Sequence, residues 1–129
     1  MRLSIVAGVF AVCRFAPETE VPSWIWQDRS LLSLTYTPDE LSIVCAAAHV
    51  PDNVRAERGW AALKVEGPLD FSLTGILSAL AGPLADAGIA IFALSTFDTD
   101  YLLLKRSQLE RACEILEAAG HTFYPNASV

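Results

Sequence analysis

The side chains best placed for chemistry in this sequence sit in two short stretches. Ser72, Thr74 and Gly75 open a segment in which Ile76, Leu77, Leu80 and Leu84 recur at helical spacing. A helix starting near Thr74 presents unpaired backbone N–H groups and the positive end of its dipole, which suits a carboxylate. Gly75 admits a close approach to the main chain, and the Ser72 and Thr74 hydroxyls add hydrogen bonds. The second stretch carries Phe97, Asp98 and Asp100 in a polar turn. Its carboxylates can accept hydrogen bonds from an ammonium, and Phe97 can pack on a ligand side chain. The two stretches together would hold an amino acid without breaking a bond in it. Ordinary structural roles account for the same residues equally well. Thr74 fits a helix N-cap, and Asp98 and Asp100 fit turn acids.

Catalytic constellations fare worse. A nucleophile would draw on Cys13, Cys45 or Cys113 with His49 or His121. Each cysteine has apolar neighbours, and no Asn or Asp is spaced to orient a histidine. Two histidines without C-x-x-C or H-x-x-x-H spacing do not make a metal site. The 67–75 stretch lacks the Gly-Lys-Ser/Thr ending of a P-loop. The cysteines, odd in number and widely spaced, read as buried thiols in a reducing, cytoplasmic compartment. No enzyme activity, cofactor or metal is expected. Trp24, Trp26 and Trp60 read as core or dimer contacts, and His49 and His121 as partly exposed residues near strand ends.

The whole chain bounds these readings. Its 129 residues are 53% hydrophobic and 19% charged, with a net charge of −6. That length and apolar content are ample for a buried core. The acidic balance argues against nucleic acid, which needs a basic stripe. From Glu66 onward eight acids face three bases, a placement that favours a ligand with a cationic group. The longest uncharged stretch, 71–85, is broken by Gly75, Gly82 and Pro83 and is too short for a bilayer. The apolar run at 3–13 resembles a secretory signal superficially. Arg14 follows it directly without a small-x-small cleavage site, so it is read as a buried strand.

Periodicity then places the elements. Helices are predicted from Thr74 to Gly88, with Pro83 kinking or breaking it, and from a Ser107/Glu110 capping box to Gly120. Leu109, Ala112, Cys113 and Leu116 would face inward, and Glu110, Glu114 and Glu117 outward. Strands are predicted at 31–37, 41–46, 60–65, 89–95, 101–105 and 121–124, with hairpin turns at 38–40 and 96–100. The second half thus reads βαββαβ, an α+β ferredoxin-like sandwich with an antiparallel sheet. In the first half only 51–58 stand where a second crossover helix belongs, which is short for that role. A shift of 61 positions lays Thr35 on Thr96, Tyr36 on Phe97, Asp39 on Asp100, Leu41 on Leu102 and Ile43 on Leu104. Such a match implies duplicated units.

The segments 67–76, 83–85 and 91–101, with Ser95-Thr96-Phe97-Asp98-Thr99-Asp100 the most specific part, resemble ACT-domain proteins. Among these the chain resembles small bacterial tandem-ACT proteins related to the CASTOR cytosolic arginine sensors of animals. The 35–44 segment resembles the equivalent hairpin of that family's other unit. The resemblance implies two tandem ACT units, 1–60 and 61–129, the first less regular. It implies non-catalytic, regulatory amino-acid binding at an interface between units. Thr96, Phe97 and Asp100 would hold the ligand, with Asp98 beside them. Asp70, Phe71, Ser72, Leu73, Thr74, Gly75 and Ile76 would form the other wall. One ACT pair stands here where the animal sensors have two, so the resemblance does not carry arginine over as the ligand. A homodimer is expected, since free sheet edges favour pairing. The alternative is a protein–protein interaction module with a vestigial site and an unidentified protein partner.

Overall fold

Alternating apolar residues become strands, and 3.6-residue spacing becomes helices, close to the predicted places. The computed structural model describes residues 1–67 and 75–125. In chain order the strands are β1 (Arg2–Phe15), β2 (Ser33–Tyr36), β3 (Leu41–Ala46) and β4 (Ala56–Val65), followed after helix α1 (Ile76–Asp86) by β5 (Phe92–Ser95) and β6 (Asp100–Lys105). Helix α2 (Leu109–Ala118) and the short β7 (Thr122–Phe123) complete the elements, with 3-10 turns at Ser23–Gln27, Ala47–His49 and Arg106–Gln108. The class is α+β.

The chain divides into two compact units, one of Met1–Val6 with Ala61–Val129 and one of Ala7–Trp60. The boundaries fall inside β1 and β4, so the first residues group with the C-terminal half. In that C-terminal unit the strand order is β7-β1-β4-β6-β5. The βαββαβ succession is present, with one departure from the expected antiparallel sheet. The start of β1 lies between β4 and β7, and β7 pairs with it in parallel, Arg2 opposite Thr122 and Leu3 opposite Phe123. The cause is the apolar start of the chain: Leu3 is fully buried in this unit's core, and Ile5 packs against it.

That core lies under α1 and α2. Ala61, Leu63 and Val65 from β4 and Leu102 and Leu104 from β6 meet Leu80, Leu84, Leu109, Ala112, Cys113 and Leu116 from the helices. Glu110, Glu114 and Glu117 face solvent as expected. The Ser107/Glu110 capping box does not form. The N-cap of α2 is Gln108, without a side-chain cap bond. The turn Arg106–Gln108 already supplies the Arg106 carbonyl to the Leu109 N–H, so Ser107 lies inside that turn. Gly88 and Gly120 follow the two helices with left-handed φ of 76° and 99°, as helix terminators do.

Helix α1 begins at Ile76, two residues later than predicted, with left-handed Gly75 as its N-cap, and runs through Pro83 as a single element. Proline has no N–H to give the carbonyl four residues back, here that of Ala79. His121 takes the vacant place: its Nε2 lies 3.2 Å from the Ala79 oxygen, and its Nδ1 lies 2.9 Å from the Met1 nitrogen. The Met1 ammonium can only donate, so Nδ1 accepts from it and Nε2 is the nitrogen that donates to the Ala79 carbonyl. His121 is therefore buried, not the partly exposed residue the sequence implied.

In the N-terminal unit β1 pairs antiparallel with β3, and β3 with β2. Its core gathers Ala11, Cys13, Ile25, Leu41, Ile43, Cys45 and Val50. No helix occupies 51–58, where turns lead into β4. Trp24 packs on this core beside Phe15, with ring centroids 6.4 Å apart. Trp26 lies outside the core, half-exposed with the Arg29 guanidinium 5.4 Å from its ring.

A double-mutant cycle checks the His121–Pro83 pairing. His121→Ala should cost about 1 kcal/mol in urea unfolding, the worth of one hydrogen bond. Pro83→Ala restores an N–H to the helix, so the His121→Ala loss should be smaller in that background. Equal losses in both backgrounds would show that His121 does not complete the helix.

Candidate functional site

The two hairpins share one turn. In the C-terminal unit β5 and β6 close on Ser95 opposite Asp100; in the N-terminal unit β2 and β3 close on Tyr36 opposite Leu41. Each loop is four residues long and begins with threonine. The Thr96 N–H donates to the Thr99 carbonyl at 2.8 Å, and the Thr37 N–H donates to the Glu40 carbonyl at 2.9 Å. The Thr96 hydroxyl donates to the Thr99 carbonyl and accepts the Thr99 N–H; the Thr37 hydroxyl does the same with Glu40. The strands then lead into 3-10 turns of equal length, Ala47–His49 and Arg106–Gln108. The geometric offset is therefore 59, laying Tyr36 on Ser95 and Leu41 on Asp100, rather than 61. A slip of two residues keeps every strand side chain on the same face, so the apolar pattern fits either shift. Thr37 and Asp39 therefore stand in the places of Thr96 and Asp98, where the shift of 61 sets Thr35 on Thr96 and Asp39 on Asp100.

Thr99, which sequence reasoning passed over, holds the C-terminal hairpin down. It is 5% exposed, and its hydroxyl donates to the carbonyl of Val65 at 2.5 Å. Val65 is the last residue of β4, where the chain leaves the sheet toward α1. The available signal was a threonine between two acids in a turn, at a position where the N-terminal hairpin carries Glu40. Around this anchor the tip is open. Thr96 and Asp98 are exposed, and Phe97 is 80% exposed. Asp100 is half-buried, and its Oδ1 accepts the Ser95 hydroxyl at 2.5 Å.

Of the other predicted wall, Gly75 and Ile76 lie at the start of α1, whereas Asp70, Phe71, Ser72, Leu73 and Thr74 fall outside the described residues. Among the described residues, a Cβ placed on Gly75 would meet nothing within 4 Å. Ala79 donates its N–H to the Gly75 carbonyl, and the N–H groups ahead of it are those a helix start leaves without intrahelical partners. The geometry thus offers acceptors at the hairpin tip and donors at the helix start, within one unit.

The cysteines lie elsewhere. Cys13 and Cys45 face each other in the N-terminal core with Sγ atoms 4.0 Å apart. Their hydrogen bond holds the Cys13 thiol below its ordinary pKa and, with burial, pushes that of Cys45 up. Burial, with Glu117 and Glu114 nearby, raises Cys113 to about 11. Cys45, His49 and Asp28 line one small crevice, but the Cys45 thiol is engaged with Cys13. Among the described residues no group of three His, Cys, Asp or Glu side chains is arranged to hold a metal. None of their helices is long and apolar enough to cross a membrane.

Comparison with known proteins places this geometry. A family model described as an ACT domain matches residues 55–118, and an N-terminal-domain model of another family matches 8–53. The human cytosolic arginine sensor for mTORC1, subunit 1, is 36% identical over 59 residues, 45% of this chain. The chain spans only 18% of that relative's length. The crystal structure of a protein from Agobacterium tumefaciens is similar at 38% identity and a TM-score of 0.88, covering 95% of this chain and 90% of that one. The regulatory subunit of aspartate kinase from Thermus thermophilus shares the fold at 9% identity, with a TM-score of 0.61 over 92% of this chain and 97% of that one.

If the Thr99 hydroxyl anchors the hairpin, Thr99→Val should lose about 1–3 kcal/mol of stability, because it leaves the Val65 carbonyl without that donor. Thr99→Ser should recover most of it. Urea titrations in which Val and Ser behave alike would remove the hydroxyl from the account.

Proposed function

The chain belongs to the ACT-domain family, and from that premise we propose that it is a regulatory, non-catalytic protein that binds a free amino acid. The observation that carries the reading is the tethered hairpin. An open tip bearing Thr96, Phe97, Asp98 and Asp100 is fixed through Thr99 to the strand that leads into α1. In this reading Asp100 and Asp98 accept from the ligand's ammonium, Phe97 covers its side chain, and the Thr96 hydroxyl keeps the turn in shape. The start of α1 at Gly75 and Ile76, with residues 70–74 before it, receives the carboxylate.

We read residues 1–60 and 61–129 as two ACT units, and the shared threonine turn supports that reading. Two chains would pair as a homodimer, for which β5, at the edge of its unit's strand order, leaves backbone groups to pair. Three buried free cysteines support a reducing, cytoplasmic setting. Binding without chemistry acts by favouring one conformation over another, by as much as the ligand's affinity differs between them.

A thermal-shift series with the standard amino acids at millimolar concentration tests this. A ligand at about a hundred times its Kd adds about 2.7 kcal/mol, which reads as several degrees in Tm. Asp100→Ala and Phe97→Ala should fold and lose the shift. A flat panel would contradict sensing and leave the exposed Phe97 as a protein contact.

A further inference from the structure

The N-terminal unit carries a groove of about 240 Å³ beside its own threonine turn. Arg14 and Arg55 line it together with Glu40, Glu57, Ser42 and Val12 of β1, two cationic and two anionic side chains about one groove. Arg14 and Arg55 are neighbours across the two chain segments, the Arg14 N–H donating to the Arg55 carbonyl at 3.0 Å. The Arg14 Nη2 also donates to the carbonyl of Asp39 at 3.1 Å, which ties its guanidinium to the turn. Among the described residues neither guanidinium, nor the Glu40 carboxylate, has an ion-pair partner.

Two guanidiniums lining one groove suit a carboxylate with their planar forks, and the two glutamates of the same lining suit a cationic group. Glu40 on the turn argues against a simple anion such as phosphate and for a ligand that also carries a positive group. At about 240 Å³, against about 30 Å³ for one water, the groove has room for a small metabolite.

We propose that this groove is a second ligand site, for a small zwitterion whose carboxylate lies between Arg14 and Arg55 and whose ammonium faces Glu40. The site is separate from the 96–100 hairpin, and ligand can occupy it whether or not that hairpin binds anything. The equivalent turn in the C-terminal unit, with Thr99 in place of Glu40, offers no carboxylate at that position, so the two sites would select different ligands.

Amide chemical shifts of the full chain, followed while each standard amino acid is added at millimolar concentration, test the proposal. At least one amino acid should move the amides of Val12, Arg14, Ser42 and Ala56, and should still do so in Asp100→Ala. Arg14→Gln and Arg55→Gln, both at exposed positions, should keep the fold and weaken that response at least about tenfold, about 1.4 kcal/mol. Groove amides that stay still for every amino acid, that respond equally to inorganic phosphate, that move unchanged in both glutamine variants, or that fall silent in Asp100→Ala would overturn it. Movement in the groove with none at 96–100 would leave this site standing and remove the hairpin from the proposed function.

Discussion

One buried hydroxyl sets the geometry on which the candidate site depends. A four-residue hairpin loop is held by its own turn bonds, but those bonds fix only its shape. Its position comes from Thr99, whose hydroxyl reaches the carbonyl of Val65, the last residue of β4. A buried hydroxyl without a partner costs stability, so the contact is obligatory in this fold. It brings an acidic, open tip to the point where the chain departs for α1. A site made from a hairpin tip and a helix start needs such a tie, because both parts lie on connections and connections move most easily.

The same economy governs the rest of the C-terminal unit. Pro83 interrupts the hydrogen bonds of α1, and the gap at Ala79 is filled from outside the helix by His121. That pairing locks β7, which follows His121 directly, to a helix distant in sequence. β7 is only two residues long and pairs with the first residues of β1. A two-residue strand has little stability of its own, and the His121 bond to Ala79, together with the burial of Phe123 in the core, adds to it.

Much of this was legible in the residues. The amphipathic spacing of Leu109, Ala112, Cys113 and Leu116 fixed which face of α2 is buried, and Gly88 and Gly120 marked the helix ends. The hairpin at 96–100 was readable because turn residues separate two apolar runs. Long-range partners were not. Nothing local in Leu3 announces that it serves the C-terminal core, nor in His121 that it answers a proline 38 positions earlier. The likeness of the two hairpins was visible but two residues out of register, since an even slip leaves strand faces unchanged. Thr99 was hidden by the acids on either side, which carry the more obvious chemistry. The capping-box motif at Ser107 was a true pattern in the wrong place, overruled by the turn that precedes α2.

Sensing by this protein requires that the 96–100 hairpin receive a free amino acid. Amide hydrogen exchange of the full chain, with and without each standard amino acid at millimolar concentration, tests it most directly. For at least one of them, exchange should slow at Phe97 and Asp98, which lie at the exposed tip. Exchange at those amides that is the same with every amino acid as without would contradict it.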